Sequence, residues 1–157
     1  MRKFEFGDDL YDTPGHLIRR LQQAAVSIFM TETAAVGSDL TPPQFGALTM
    51  VRRHPGIDQV TLAGLIAYDK ATIGDVVSRL VSKELLKRTV SKIDRRSREL
   101  HITNSGIKLL ETMIPCVQRV QEQILAMLDA EEQILFMQLL RKVTEDLNDR
   151  SRSPLRL

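Results

Sequence analysis

Apolar residues recur along this 157-residue chain at two spacings. Most follow the three-and-four rhythm that lines one face of a helix. Thr13-Pro14 starts the first such run, with Thr as N-cap and Pro at the first helical position, where its missing N–H costs nothing. Leu17, Leu21, Ala24, Ala25 and Ile28 then form one face, and Gly37 is the expected stop. Leu40-Thr41-Pro42-Pro43-Gln44 repeats the opening signal. In this second helix Phe45, Leu48, Thr49 and Val51 should face inward, and His54-Pro55-Gly56 should end it. Asp58 is placed to cap a short third helix carrying Leu62, Leu65 and Ile66, and Asp69 to cap a fourth from Lys70 to about Glu84. The residues 86–90 and 99–103 are short and β-rich, and read as a hairpin around a charged loop. Thr103-Asn104-Ser105-Gly106 opens a long fifth helix with Ile107, Leu110, Ile114, Val117, Val120 and Ile124 in one stripe. Pro115 within it is expected to kink or locally unwind it. Asp129-Ala130-Glu131-Glu132 resembles a capping box for a sixth helix bearing Ile134, Leu135, Met137, Leu139, Leu140, Val143 and Leu147. The segment from Asn148 onward reads as frayed. Phe4, Phe6, Leu10 and Tyr11 lie in an N-terminal arm with no clear period.

The phase of the fourth helix separates two chemistries. Ile73, Val76, Val77, Leu80 and Val81 gather on one side; Ala71, Thr72, Asp75, Ser78, Arg79 and Ser82 gather on the other. The polar side is slim, with short hydrogen-bonding groups, as a helix entering a groove requires. Charge then sharpens the picture. The chain carries a net +2, but nine basic and three acidic residues fall between Lys70 and Arg98, so this stretch carries +6 and the remainder −4. A helix in the major groove of DNA reads base edges, and a basic hairpin beside it reaches the minor groove, where arginine is favoured. Thr72, Ser78 and Arg79 are the candidates for base or phosphate contact, with Ala71 against a thymine methyl and Lys70 at the helix start. Arg95 or Arg96 would enter the minor groove, with Lys92 and Arg98 near phosphates. For Asp75 a structural ion pair with Arg79 is preferred over a base contact.

Three stretches, LTPPQFGALTMV, VTLAGLIAYDKATIGDVVSRLVSKELLKR and DRRSRELHITNSG, resemble the MarR family of winged-helix transcription regulators. So does LDAEEQILFMQLLRKV, which is similar to that family's last helix. The resemblance covers roughly residues 14–148. It implies a mainly α fold with a small β-hairpin wing: an N-terminal arm and dimerisation helix (1–36), a winged helix–turn–helix (37–103) and C-terminal dimerisation helices (104–157). It also implies a homodimer on pseudo-palindromic double-stranded DNA. The family's usual member is a repressor released by a small phenolic or aromatic-acid ligand held between the dimerisation and DNA-binding parts. Glu84 stands where a glycine often follows the lysine in that family, so a less sharp turn into the wing is expected. A dimer is independently expected, because the terminal apolar stripes exceed what a small winged core would bury alone.

His16 stands beside Arg19 and Arg20. It is open to two readings, a partner for a ligand carboxylate or a partly exposed helix residue. With Arg20 and the neighbouring Phe45 and Leu48, it forms the candidate ligand set. Cys116 reads as a buried, inert thiol, and the methionines as core and interface fillers. Composition excludes more than it selects: 43% hydrophobic and 27% charged residues suit an ordinary globular chain. No run of about 18 apolar residues suggests a membrane span, and the acidic turn after MRKFEF is unlike a signal peptide, so a cytoplasmic location is expected. There is no metal-ligand cluster, nucleophile elbow or phosphate-cradling glycine loop, so neither catalysis nor a cofactor is expected. The competing reading is an architectural DNA-binding protein without an effector.

Overall fold

The computed structural model describes residues 10–91 and 98–157. The expectations placed on Phe4, Phe6, Lys92, Arg95 and Arg96 lie outside these residues. Among the described residues are α1 (Pro14–Ala34), α2 (Pro42–Arg53), α3 (Gln59–Leu65), α4 (Lys70–Ser82), β1 (Leu86–Val90), β2 (Arg98–Ile102), α5 (Asn104–Leu125) and α6 (Ala130–Asp146). Single 3₁₀ turns precede α1 and follow α6.

The helix starts follow local chemistry. The Thr13 hydroxyl accepts from the His16 N–H, and the Asp58 carboxylate from the N–H groups of Val60 and Thr61. Asp69 accepts from Thr72, Thr103 from Gly106, and Asp129 from Glu131 and Glu132. Each bond satisfies a donor that the first helical turn leaves without an internal partner. α5 runs through Pro115 without interruption, contrary to the expected local unwinding. The ring lies on the exposed face, where it removes one bond of the ladder and crowds the Glu111 carbonyl one turn earlier.

β1 and β2 pair antiparallel, Leu86 opposite Ile102 and Arg88 opposite Leu100. The core lies where this hairpin, α2, α3 and α4 meet α5 and the C-terminal end of α1, which buries Phe29 and Thr33. Leu40, Leu48, Val51, Leu62, Ile73, Val77, Leu80, Leu100 and Met113 have no exposed surface there. Leu110 and Val120 extend the core along α5. α6 contributes no buried residue.

Two tight turns shape the unit built from α3, α4 and the hairpin. Ala67 (φ 54°) stands between α3 and α4, and Glu84 (φ 58°) between α4 and β1. At the second, the Leu85 N–H donates to the Leu80 carbonyl and the Glu84 N–H to that of Val81, the paired closure of a left-handed helix end. Glu84 therefore takes up the backbone conformation that glycine adopts most easily, and the expected looser turn does not occur. No helix among the described residues is long and apolar enough to cross a membrane.

Candidate DNA-binding interface

The phase deduced for α4 holds in three dimensions. Ile73, Val76, Val77 and Leu80 are buried, while Lys70, Ala71, Asp75, Ser78, Arg79 and Ser82 are exposed and Thr72 is half-buried. Several polar groups on that face are already engaged. The Thr72 N–H and hydroxyl donate to the two Asp69 carboxylate oxygens at 2.9 and 2.8 Å. The bonds from the Thr72 backbone and then its hydroxyl hold the Asp69 carboxyl below its ordinary range. The Ser78 hydroxyl donates to the Gly74 carbonyl at 2.8 Å, so its hydrogen is spent within the helix. Asp75 makes no ion pair with Arg79 among the described residues. The preferred structural reading of Asp75 is corrected on this point: the two side chains lie on the same face without bridging.

The basic residues divide by partner. Lys83 bonds Asp39 in the α1–α2 link, and this keeps the Asp39 carboxyl low. Its charge therefore serves the fold. Lys70, Arg79, Lys87, Arg88 and Arg98 are exposed and form no ion pair among the described residues, leaving their charge for an anionic partner. Arg98 opens β2.

Two residues join this surface without a prior expectation. Leu86, Arg88 and Val90 alternate onto one face of β1, and Leu86 is buried against the helices. That alternation sends Arg88 toward α3 and α4. Its Nη2 donates to Ser78 Oγ at 3.1 Å and to Gln59 Oε1 at 3.4 Å. The signal was present in the two-residue step from Leu86 to Arg88, but which face met the helices was not.

The candidate ligand residues are placed unevenly. His16 is half-buried one turn into α1, with Tyr11 edge-on at a ring-centroid distance of 5.4 Å. Arg20 is exposed one turn further along. Arg19 donates to Gln23 Oε1 at 2.7 Å. Phe45 is half-buried and packs edge-on to Phe29 at 5.8 Å. Leu48 has no exposed surface and supports the core from behind; it cannot touch a ligand unless the core opens. Two apolar cavities, of about 740 and 300 Å³, flank α6 and α1, sharing Ile18 and Leu140 as walls. Neither is lined by His16, Arg20, Phe45 or Leu48.

Cys116 is buried, with Arg119 Nη2 donating to its Sγ at 3.3 Å. No group of three metal-ligating side chains occurs among the described residues.

A slim exposed helix, a preceding helix at a tight turn and a basic antiparallel hairpin define a winged helix–turn–helix. The sequence pattern of the MarR family matches residues 40–97. The chain is 35% identical to the HTH-type transcriptional repressor NicR of Pseudomonas putida, over 87% of this chain and 85% of NicR. The structure resembles PcaV of Streptomyces coelicolor in complex with its natural ligand, at TM-score 0.80, 34% identity, and coverage of 90% of this chain and 98% of PcaV. It also resembles BpsR of Bordetella bronchiseptica, whose DNA binding is regulated by 6-hydroxynicotinic acid. There the TM-score is 0.80 and the identity 29%, over 88% of this chain and 98% of BpsR. The chain belongs to the MarR family of winged-helix transcription regulators.

Proposed function

We propose that the protein is a cytoplasmic homodimeric repressor that binds a pseudo-palindromic DNA operator and leaves it when a small aromatic or phenolic acid binds. The observation that carries the DNA reading is the exposed face of α4, flanked by basic groups without carboxylate partners among the described residues. Two copies related by a twofold axis would present two such helices to successive turns of one groove. Lys70, Ala71, Thr72, Asp75, Ser78 and Arg79 form the reading face, and Lys92, Arg95, Arg96 and Arg98 the wing.

The repressor reading is supported by the likeness to NicR, and the ligand class by the likeness to BpsR. His16 and Arg20 would take the ligand's carboxylate from one face of α1, with Phe45 against its ring. Ligand binding would favour a spacing of the two α4 helices that misses the half-sites, a shift of population between two arrangements.

Titration of 6-hydroxynicotinic acid and hydroxybenzoic acids into a protein–operator mixture tests the response. A ligand that weakens operator binding, with the effect lost in Arg20→Ala, is the expected result; no change with any of them leaves a constitutive repressor. Competition with random duplex separates a regulator, which discriminates by about 10³ or more, from an architectural binder. Arg95→Ala and Arg96→Ala should each weaken binding and flatten its salt dependence. An unchanged slope in both removes the wing from this reading.

A further inference from the structure

We infer that Arg88, seated by Ser78 and Gln59, is a DNA phosphate-binding residue that sets the angle between the recognition helix and the wing. The inference rests on the DNA-binding reading above and adds a site to it at the junction of α3, α4 and β1.

Three elements distant in sequence converge on one guanidinium. Gln59 is the first residue of α3, Ser78 lies on α4 and Arg88 on β1. Hydrogen-bond direction is decisive at Ser78. Its hydrogen goes to the Gly74 carbonyl, so the oxygen facing Arg88 acts as an acceptor. The Gln59 amide likewise turns its oxygen to Arg88. Both partners are neutral. They orient the guanidinium without cancelling its charge, unlike Asp39 with Lys83 or Glu32 with Arg119.

Arginine carries five N–H donors in a planar fork. The bonds to Ser78 and Gln59 both come from Nη2, so Nη1 and Nε have no protein partner among the described residues. An exposed fork that forms no ion pair among the described residues suits the oxygens of a phosphodiester, which it can hold in two parallel bonds. Its place between recognition helix and hairpin puts that phosphate beside the groove α4 enters. Since the same guanidinium bonds both α3 and α4, a bound phosphate would lock the hairpin to the pair of helices. Ser78 then acts chiefly as a seat for Arg88, with its hydroxyl already committed, and sequence discrimination falls to its neighbours.

The test uses full-length wild-type protein, Arg88→Gln and Arg88→Lys, on two duplexes. One carries the site the wild-type protein selects from a random pool, and the other a scrambled sequence of equal length. Binding is measured across a salt series, with circular dichroism and thermal unfolding to confirm that each variant is folded. Arg88→Gln should lose affinity by a similar factor on both duplexes, roughly tenfold or more at low salt. The slope of log K against log salt should become shallower by roughly two per dimer, since each protomer then neutralises one phosphate fewer. Arg88→Lys, which keeps the charge without the fork, should recover most of the slope. An unchanged slope in folded Arg88→Gln, or a loss confined to the selected duplex, overturns the inference. A wild-type protein that binds neither duplex instead overturns the DNA-binding reading beneath it.

Discussion

Ala67 and Glu84 hold left-handed backbone, at φ 54° and 58°, where the DNA-facing unit turns. A side chain in that region costs about 1–2 kcal/mol, partly offset in glycine variants by the extra entropy glycine loses on folding. Glu84→Gly should therefore stabilise the protein by about 1 kcal/mol in a denaturant titration. Gly106 makes the opposite case. A Cβ there would lie 2.4 Å from the Leu85 carbonyl oxygen and 2.8 Å from Ile102 Cγ1, and the first of these is backbone that cannot rotate away. Gly106→Ala should destabilise by roughly 2–3 kcal/mol through overpacking. Asp69 supplies a pH signature. Its folded-state pKa lies below the ordinary 3.8, chiefly through the bonds from Thr72. The cap's contribution is thus complete above that value and is lost as pH falls through the folded-state pKa. Asp69→Asn keeps an N-cap acceptor but does not titrate; its unfolding free energy should fall less steeply below pH 3.8 than that of the wild type.

At the scale of elements, α5 and α6 share a strong start and differ in what they bury. α5 places Leu110, Met113, Cys116 and Val120 in the core. α6 has a complete capping box and buries nothing, leaving Ile134, Leu135, Leu139, Leu140, Val143 and Leu147 exposed. A 17-residue helix is marginal on its own in water, and most helical stability in proteins comes from packing an apolar face. This supports a second copy of the chain as the surface that covers α6. Leu139→Glu should then give monomers or insoluble protein by sedimentation velocity. A folded dimer with that substitution would place the interface elsewhere.

At the scale of the whole molecule, the segment that the sequence presents as a frayed end docks on α3. After α6 the chain makes one 3₁₀ turn. The Asn148 side chain then brackets the Leu155 backbone, donating to its carbonyl at 3.2 Å and accepting its N–H at 2.8 Å. This clasp delivers the Arg156 N–H to the Gly64 carbonyl at 2.9 Å, and a Cβ on Gly64 would meet Arg156 Cβ at 3.0 Å. The tail thus leans on α3 and lines the larger apolar cavity together with Ala67 and Ile18. Deleting residues 148–157 should speed amide exchange in α3 and lower stability by about 1–2 kcal/mol, the scale of a hydrogen bond with modest apolar burial. Unchanged exchange in α3 would show that the tail docks without supporting it.

Helix starts were legible in the sequence, whereas the missing Asp75–Arg79 pair, the unbroken helix at Pro115 and the sharp turn at Glu84 were not. Caps at Thr13, Asp58, Asp69, Thr103 and Asp129 and the buried phase of α4 all depend on neighbours a few residues away. The side chains themselves carry that information. The slim exposed face of α4 and the local excess of positive charge belong to the same category. The tertiary structure decided how elements cross, and through that which groups meet. It buried Leu48 rather than offering it to a ligand, set Lys83 against Asp39, aimed Arg88 at Ser78 and Gln59, and laid the tail on Gly64. Each of these joins residues far apart along the chain, where helical or strand period says which face a side chain occupies but not what that face will touch.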